Sequence, residues 1–233
     1  MAASWSDNLA RRWQEATTAR EMAQCLAGVG SERKFRLLMC AAIRRLWPLA
    51  LDPRSRAAVE AVQRYADGLA TAADLQAAAG PAHEAYTEAR GANHETAVAN
   101  AAWMAALAAP PHEPHAMALT VLEDCRAACE RNAHLGLDAG REQEGHAWLF
   151  RCVFGQPFRG EPEGLASWRA WNGGTAVQLA RVIYDEQRFH VLPILADALE
   201  EAGCDDEALL AHCRDDGLHV RGCWVVDLLL DRA

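Results

Sequence analysis

Apolar residues in this chain recur every three or four positions, and the two-residue alternation of a half-buried strand is nearly absent. Phe35, Leu38, Met39, Ala42, Ile43 and Leu46 stand at i, i+3, i+4, i+7, i+8 and i+11, one continuous stripe on a helix that Ser31 caps and Pro48 stops. Arg33, Arg36 and Arg44 fall on another side, and Arg44-Arg45 sit where the helix dipole favours cations. Asp52-Pro53 opens the next helix with a cap followed by proline at the first helical position; Val59, Val62 and Tyr65 face inward and Gly68 closes it. Thr18 caps a short helix ended by Gly28, and Thr71 with Asp74 forms a capping box with Asp in place of Glu.

The same reading continues to the C-terminus. An alanine-rich stretch to Ala109 divides into two helices near Gly80-Pro81, with Trp103, Met104 and Leu107 as anchors. Pro110-Pro111-His112-Glu113-Pro114 is the best internal linker, so the expected division is 1–109 and 110–233, or one continuous domain. Helices follow at about His115–Leu135 and Ala139–Val153. Gly155 to Gly174, rich in glycine and without periodicity, reads as an ordered loop pinned by Phe158, Trp168 and Trp171. Further helices are expected from Thr175 as cap, from about His190 to Ala202, and from Asp205 or Asp206 as cap to Cys213. Val220 to Leu230 reads as a final helix buried on nearly all sides, with a buried strand as the alternative for Cys223–Leu230. The class is all-α: a multi-helix bundle or irregular helical array of about nine to eleven helices.

Composition narrows the function classes. The 233 residues are 51% hydrophobic, enough for a real core, yet no apolar run reaches the length of a membrane span. Asp7, Trp13 and Glu15 occupy the place of a signal peptide's apolar core, so a cytoplasmic protein with eight reduced cysteines is expected. The net charge of −9 is uneven: residues 1–56 carry ten basic and five acidic side chains, the remainder 13 and 27. So acidic a body repels phosphate backbones, which argues against nucleic acid as a partner.

The chemistry-bearing residues concentrate between Gly203 and Leu230. If residues 219–230 are helical, His219 and Cys223 share one face at i and i+4, the spacing that brings two ligands to one ion. Cys204 and Cys213 bracket the preceding helix and complete a candidate Cys3His zinc site of Cys204, Cys213, His219 and Cys223, with His212 as a substitute. Against it stand the lack of a CxxC knuckle and the ease with which a core takes up thiols. Cys125 and Cys129 repeat the i, i+4 spacing elsewhere.

Three other chemistries have weaker support. Cys204 precedes a helix N-terminus, which lowers a thiol pKa, but Asp205 and Asp206 oppose that effect. Arg141…His146 and Arg214…His219 match the Arg-x4-6-His spacing of HEPN-type ribonucleases, a match expected by chance among so many arginines and histidines. Asn172-Gly173-Gly174-Thr175 suggests an anion nest but has no lysine after the glycines and is explained by a turn and an N-cap.

Ala202-Gly-Cys-Asp205, His212-Cys213-Arg214 and His219-Val-Arg-Gly-Cys-Trp-Val-Val-Asp-Leu-Leu-Leu230 together resemble the C-terminal signature of an all-helical family from large, GC-rich bacterial genomes. Arg33 to Trp47, Asp52 to Gly68 and Trp148 to Phe158 resemble it as well. Asp215-Asp216-Gly217-Leu218 departs from the Gly-Pro-Gly-Pro-like turn of that family. The resemblance implies a helical fold and brings no activity with it. The expected role is therefore a non-catalytic scaffold or adaptor that binds another protein, with a zinc-stabilised protein and a ribonuclease as alternatives.

Overall fold

A computed structural model describes residues 5–49, 52–90 and 113–232. Among them are twelve α-helices and no strand: α1 (Trp5–Glu15), α2 (Ala19–Cys25), α3 (Glu32–Arg45), α4 (Pro53–Ala66), α5 (Ala72–Arg90), α6 (Pro114–Arg131), α7 (Ala139–Phe154), α8 (Leu165–Ala170), α9 (Thr175–Glu186), α10 (Leu192–Glu201), α11 (Glu207–Arg214) and α12 (Trp224–Leu230). The count exceeds nine to eleven in part because α8 lies in the stretch expected to be loop. Six residues are too few to display a helical period. Trp103, Met104, Leu107 and the Pro110-Pro111 step lie outside the described residues.

The chain forms two compact units, residues 1–150 and 151–233. Helix α6, which follows the proline run, packs against α2 and α3 and so belongs with the N-terminal unit.

In that unit α3 is the central element. Its stripe is buried as the periodicity predicts, but Arg36, Leu37, Cys40 and Ala41 are buried too, so the helix is covered on nearly every side. Arg36 is accommodated because its Nε donates to Glu32 Oε1 at 2.7 Å and its guanidinium lies 5.0 Å from the Tyr65 ring centroid. The caps fall where expected: Glu21 N–H donates to Thr18 Oγ1 (3.3 Å) while Thr18 N–H donates to Glu21 Oε2 (3.0 Å). Thr71 and Asp74 repeat the exchange at 2.8 and 3.2 Å. Helix α5 runs unbroken through Pro81, correcting the expected division there. Proline forfeits one backbone hydrogen bond, a local cost that the packing of α5 along α4 offsets.

A buried polar triad ties α3 to α7. Arg45 Nε donates to both carboxylate oxygens of Glu142 (3.1 and 3.0 Å), and His146 Nε2 lies 2.9 Å from Glu142 Oε1. Glu142 and His146 are buried. Burial pushes the Glu142 carboxyl up, but the His146 and Arg45 partners outweigh it and hold the group below its ordinary value of 4.5. Gly145 makes the contact possible: a Cβ there would stand 2.5 Å from the Arg45 guanidinium.

In the C-terminal unit, Leu192, Leu195 and Leu199 of α10 join Ile183 and Tyr184 of α9 and Val225, Val226 and Leu229 of α12 in a core with essentially no solvent exposure. Tyr184 is flanked by the guanidinium groups of Arg221 and Arg232, 4.3 and 4.2 Å from its ring centroid. Asp206 caps α11, accepting from Leu209 N–H at 3.2 Å, and its second oxygen pairs with Arg159 at 2.7 Å, which anchors the Gly155–Gly174 segment. Within that segment Leu165 and Trp168 are buried, whereas Phe158 and Trp171 are half-buried. Thr175 does not cap α9. Gly174, in the left-handed region, holds that position, and Thr175 Oγ1 donates to Asn172 O at 2.9 Å.

Two outcomes follow for the triad. Gly→Ala inside a helix ordinarily stabilises by about 1 kcal/mol; Gly145→Ala should instead lower the unfolding free energy by about 1–2 kcal/mol, measured by urea denaturation, because it displaces Arg45. A carboxylate with a depressed folded-state pKa stabilises above its unfolded value and loses that contribution as the pH falls through the folded one. Glu142→Gln should therefore reduce stability at neutral pH and flatten the decline below about pH 4.5 in an acid titration of unfolding.

Candidate metal centre

Four side chains from three separate stretches of the C-terminal unit converge: Cys152, His212, His219 and Cys223, whose ligand atoms all lie within 4.8 Å of one another. Cys152 comes from the last turns of α7, where it shares the inward face with Leu149 and Val153, each without solvent exposure. His212 stands one residue before the buried Cys213 on α11 and is half-buried. His219 and Cys223 come from the turn between α11 and α12.

That turn does not have the conformation the sequence suggests. The last helix begins at Trp224, with Cys223 as its N-cap, so His219 and Cys223 do not share a helix face. Gly222, at φ 92°, breaks the helix, and Cys223 N–H donates to Val220 O at 2.9 Å. The tight turn brings the imidazole and the sulfur together without helical spacing. It also removes the strand alternative, since Trp224–Leu230 is helical.

Two of the six ligand–ligand distances lie near those of a tetrahedral ion. His212 Nε2 lies 3.2 Å from Cys223 Sγ, and Cys152 Sγ lies 3.8 Å from His219 Nδ1. Zinc–nitrogen and zinc–sulfur bonds imply ligand–ligand edges of about 3.3–3.8 Å in a tetrahedron. The imidazoles meet edge to face, centroids 4.7 Å apart at 89°. His219 Nε2 is 3.1 Å from the Asp215 carbonyl oxygen. A carbonyl only accepts, so Nε2 carries the proton and Nδ1 presents its lone pair to the cluster, the orientation that metal-bound histidines receive from a backbone acceptor. Asp215 is held in turn by Gly217 N–H, which donates to its Oδ1 at 2.7 Å.

The electrostatics set one sulfur apart. Burial pushes the thiols of Cys40, Cys125, Cys204 and Cys213 up, Cys40 to about 12. Burial also acts on Cys223, but hydrogen bonds from Cys152, His212 and His219 outweigh it and hold this thiol well below its ordinary range. The His219 imidazolium, disfavoured by burial, is raised by the Cys223 sulfur and the Asp215 carbonyl. Two imidazoles and a second thiol thus surround the one sulfur among these that is shifted down.

Gly155 completes the support. It follows α7 at φ 57°, and a Cβ there would collide with the indole of Trp224. The same indole stands 5.5 Å from the His212 ring, centroid to centroid.

Of the residues singled out from the sequence, His219 and Cys223 lie in the cluster and His212 joins them. Cys204 and Cys213 are buried outside it, and Cys152, seventy-one positions before Cys223, takes the fourth place. Nothing in local spacing points to Cys152. Cys125 and Cys129 are buried on α6, outside any such cluster among the described residues. Neither Arg–His match is assembled: Arg141 is exposed while His146 faces inward onto Glu142, and Arg214 pairs with Asp197 and Glu200 at 2.9 and 2.5 Å. The Asn172–Thr175 turn satisfies itself, with Gly174 N–H donating to Trp171 O (2.9 Å) and Gln178 Nε2 to Gly173 O (3.0 Å). Among the described residues no helix is long and apolar enough to cross a membrane. Comparison with protein-family models, curated proteins and solved structures finds no match to this chain.

Proposed function

We propose that residues 151–233 form a zinc-stabilised helical domain in which one Zn2+ is held by Cys152, His212, His219 and Cys223. The observation that carries the reading is the convergence of two sulfurs and two imidazole nitrogens, from three stretches of chain, to within 4.8 Å. Two thiolates and two imidazoles in tetrahedral reach suit zinc better than the hard, oxygen-seeking cations. All four positions are protein ligands, so no coordination site is left for water or substrate, which is the pattern of a structural and not a catalytic ion. In this reading the ion joins the end of α7 to α11 and to the start of α12. The domain's wider role is non-catalytic, a scaffold whose helical surface engages a protein partner.

Elemental analysis of the purified chain should find one zinc per molecule, and Cys223→Ser should abolish it while Cys204→Ser and Cys213→Ser retain it. Cobalt(II) exchanged into the site should show the intense visible absorption of a tetrahedral thiolate complex. Removal by a chelator should lower the melting temperature by about 10 °C or more, since an ion bound only to the folded state stabilises it by mass action. Trace zinc, or full zinc retained in Cys223→Ser, would defeat the assignment. Gly155→Ala, which dislodges Trp224 from beside His212, should weaken zinc binding about 10–100-fold in a competition titration, the effect typical of residues that support metal ligands.

A further inference from the structure

We infer that the same four-residue site is a peroxide-responsive device, in which oxidation joins Cys152 to Cys223 as a disulfide and discharges the ion. The inference rests on the zinc reading above and adds how occupancy of the site is controlled.

The geometry carries it. The two sulfurs lie within 4.8 Å of each other, although their residues are far apart in sequence. A disulfide needs about 2.05 Å between sulfurs, so a modest approach is required. Cys223 has the freedom to make it, being the N-cap of a seven-residue helix and following Gly222 at φ 92°. Both sulfurs are fully buried, whereas His212 is half-buried, so the cluster's most exposed member is an imidazole and the sulfurs are shielded from large oxidants. Hydrogen peroxide is the small oxidant suited to such a site.

Coordination keeps both sulfurs as thiolates, the nucleophilic form. One thiolate attacks a peroxide oxygen; the O–O bond breaks, and the departing hydroxide takes a proton and leaves as water. The resulting sulfenic acid is attacked by the second thiolate, the S–S bond forms, the S–O bond breaks, and a second water leaves with a second proton. Two thiolates lose two electrons, the peroxide gains them, and zinc keeps its oxidation state. The neutral disulfide sulfurs are poor ligands, and two imidazoles alone do not retain the ion. The covalent link replaces the metal link between α7 and α12, so the ion can leave while that connection persists.

The test uses the full chain with zinc bound, its stoichiometry measured first. A small excess of hydrogen peroxide is added, free zinc is followed with a colorimetric chelator, and cross-links are mapped by non-reducing peptide mass spectrometry. Full loss of the bound zinc, with a disulfide mapped to Cys152 and Cys223 and zinc binding restored by a reductant, is the expected result. Cys213→Ser and Cys204→Ser should release zinc at the wild-type rate. Zinc retained under a large peroxide excess, a cross-link through Cys204 or Cys213, or release accompanied only by sulfinic acid would overturn the inference while leaving the zinc site standing. Absence of zinc before any peroxide is added would remove the site itself, and this inference with it.

Discussion

The C-terminal unit depends on one constraint: two thiols and two imidazoles occupy a space where apolar side chains would otherwise meet. Polar and ionisable groups taken out of water need partners, or they cost several kcal/mol each (~2–7 kcal/mol for an unpaired polar group). Here each has one. His219 donates to the Asp215 carbonyl and faces Cys152, His212 faces Cys223, and the Cys223 sulfur is surrounded by the other three. The arrangement holds the end of α7 to the turn before α12. It also gives a reason for the close fit of Gly155 against Trp224, which sets the ring beside His212.

The N-terminal unit solves a related problem with charge in place of sulfur. Helix α3 is so thoroughly covered that its basic residues find partners at its edges: Arg36 on Glu32 and Tyr65, Arg44 on Gln63 and Trp47, Arg45 on Glu142. Gly145 and Gly155 play parallel parts in the two units. In each, a missing Cβ admits a large side chain, the Arg45 guanidinium in one and the Trp224 indole in the other.

Local signals were legible where one stretch of chain decides the outcome. Caps at Thr18, Ser31, Asp52, Thr71 and Asp206 work through side chains two or three residues from the amide they satisfy, so their letters suffice. The Phe35–Leu46 stripe is equally local. Helix α8 and the unbroken run through Pro81 were not legible, because α8 is too short to show a period and α5 is held by its packing along α4. The site divides the same way. His219 and Cys223 were found by spacing, although the helix assumed for them is a turn; Cys204 and Cys213 share that neighbourhood but lie outside the cluster.

The sequence by itself determined the all-α class, most helix starts and stops, and the neighbourhood of the thiol–imidazole cluster, because periodicity, capping and turn residues act over a few positions. Only the tertiary structure decided that the chain divides after Phe150, that Arg36 and Glu142 are buried, and that Cys152 joins the thiol–imidazole cluster. Those outcomes depend on which helix faces meet, and a contact between residues 152 and 223 leaves no periodic trace in either segment.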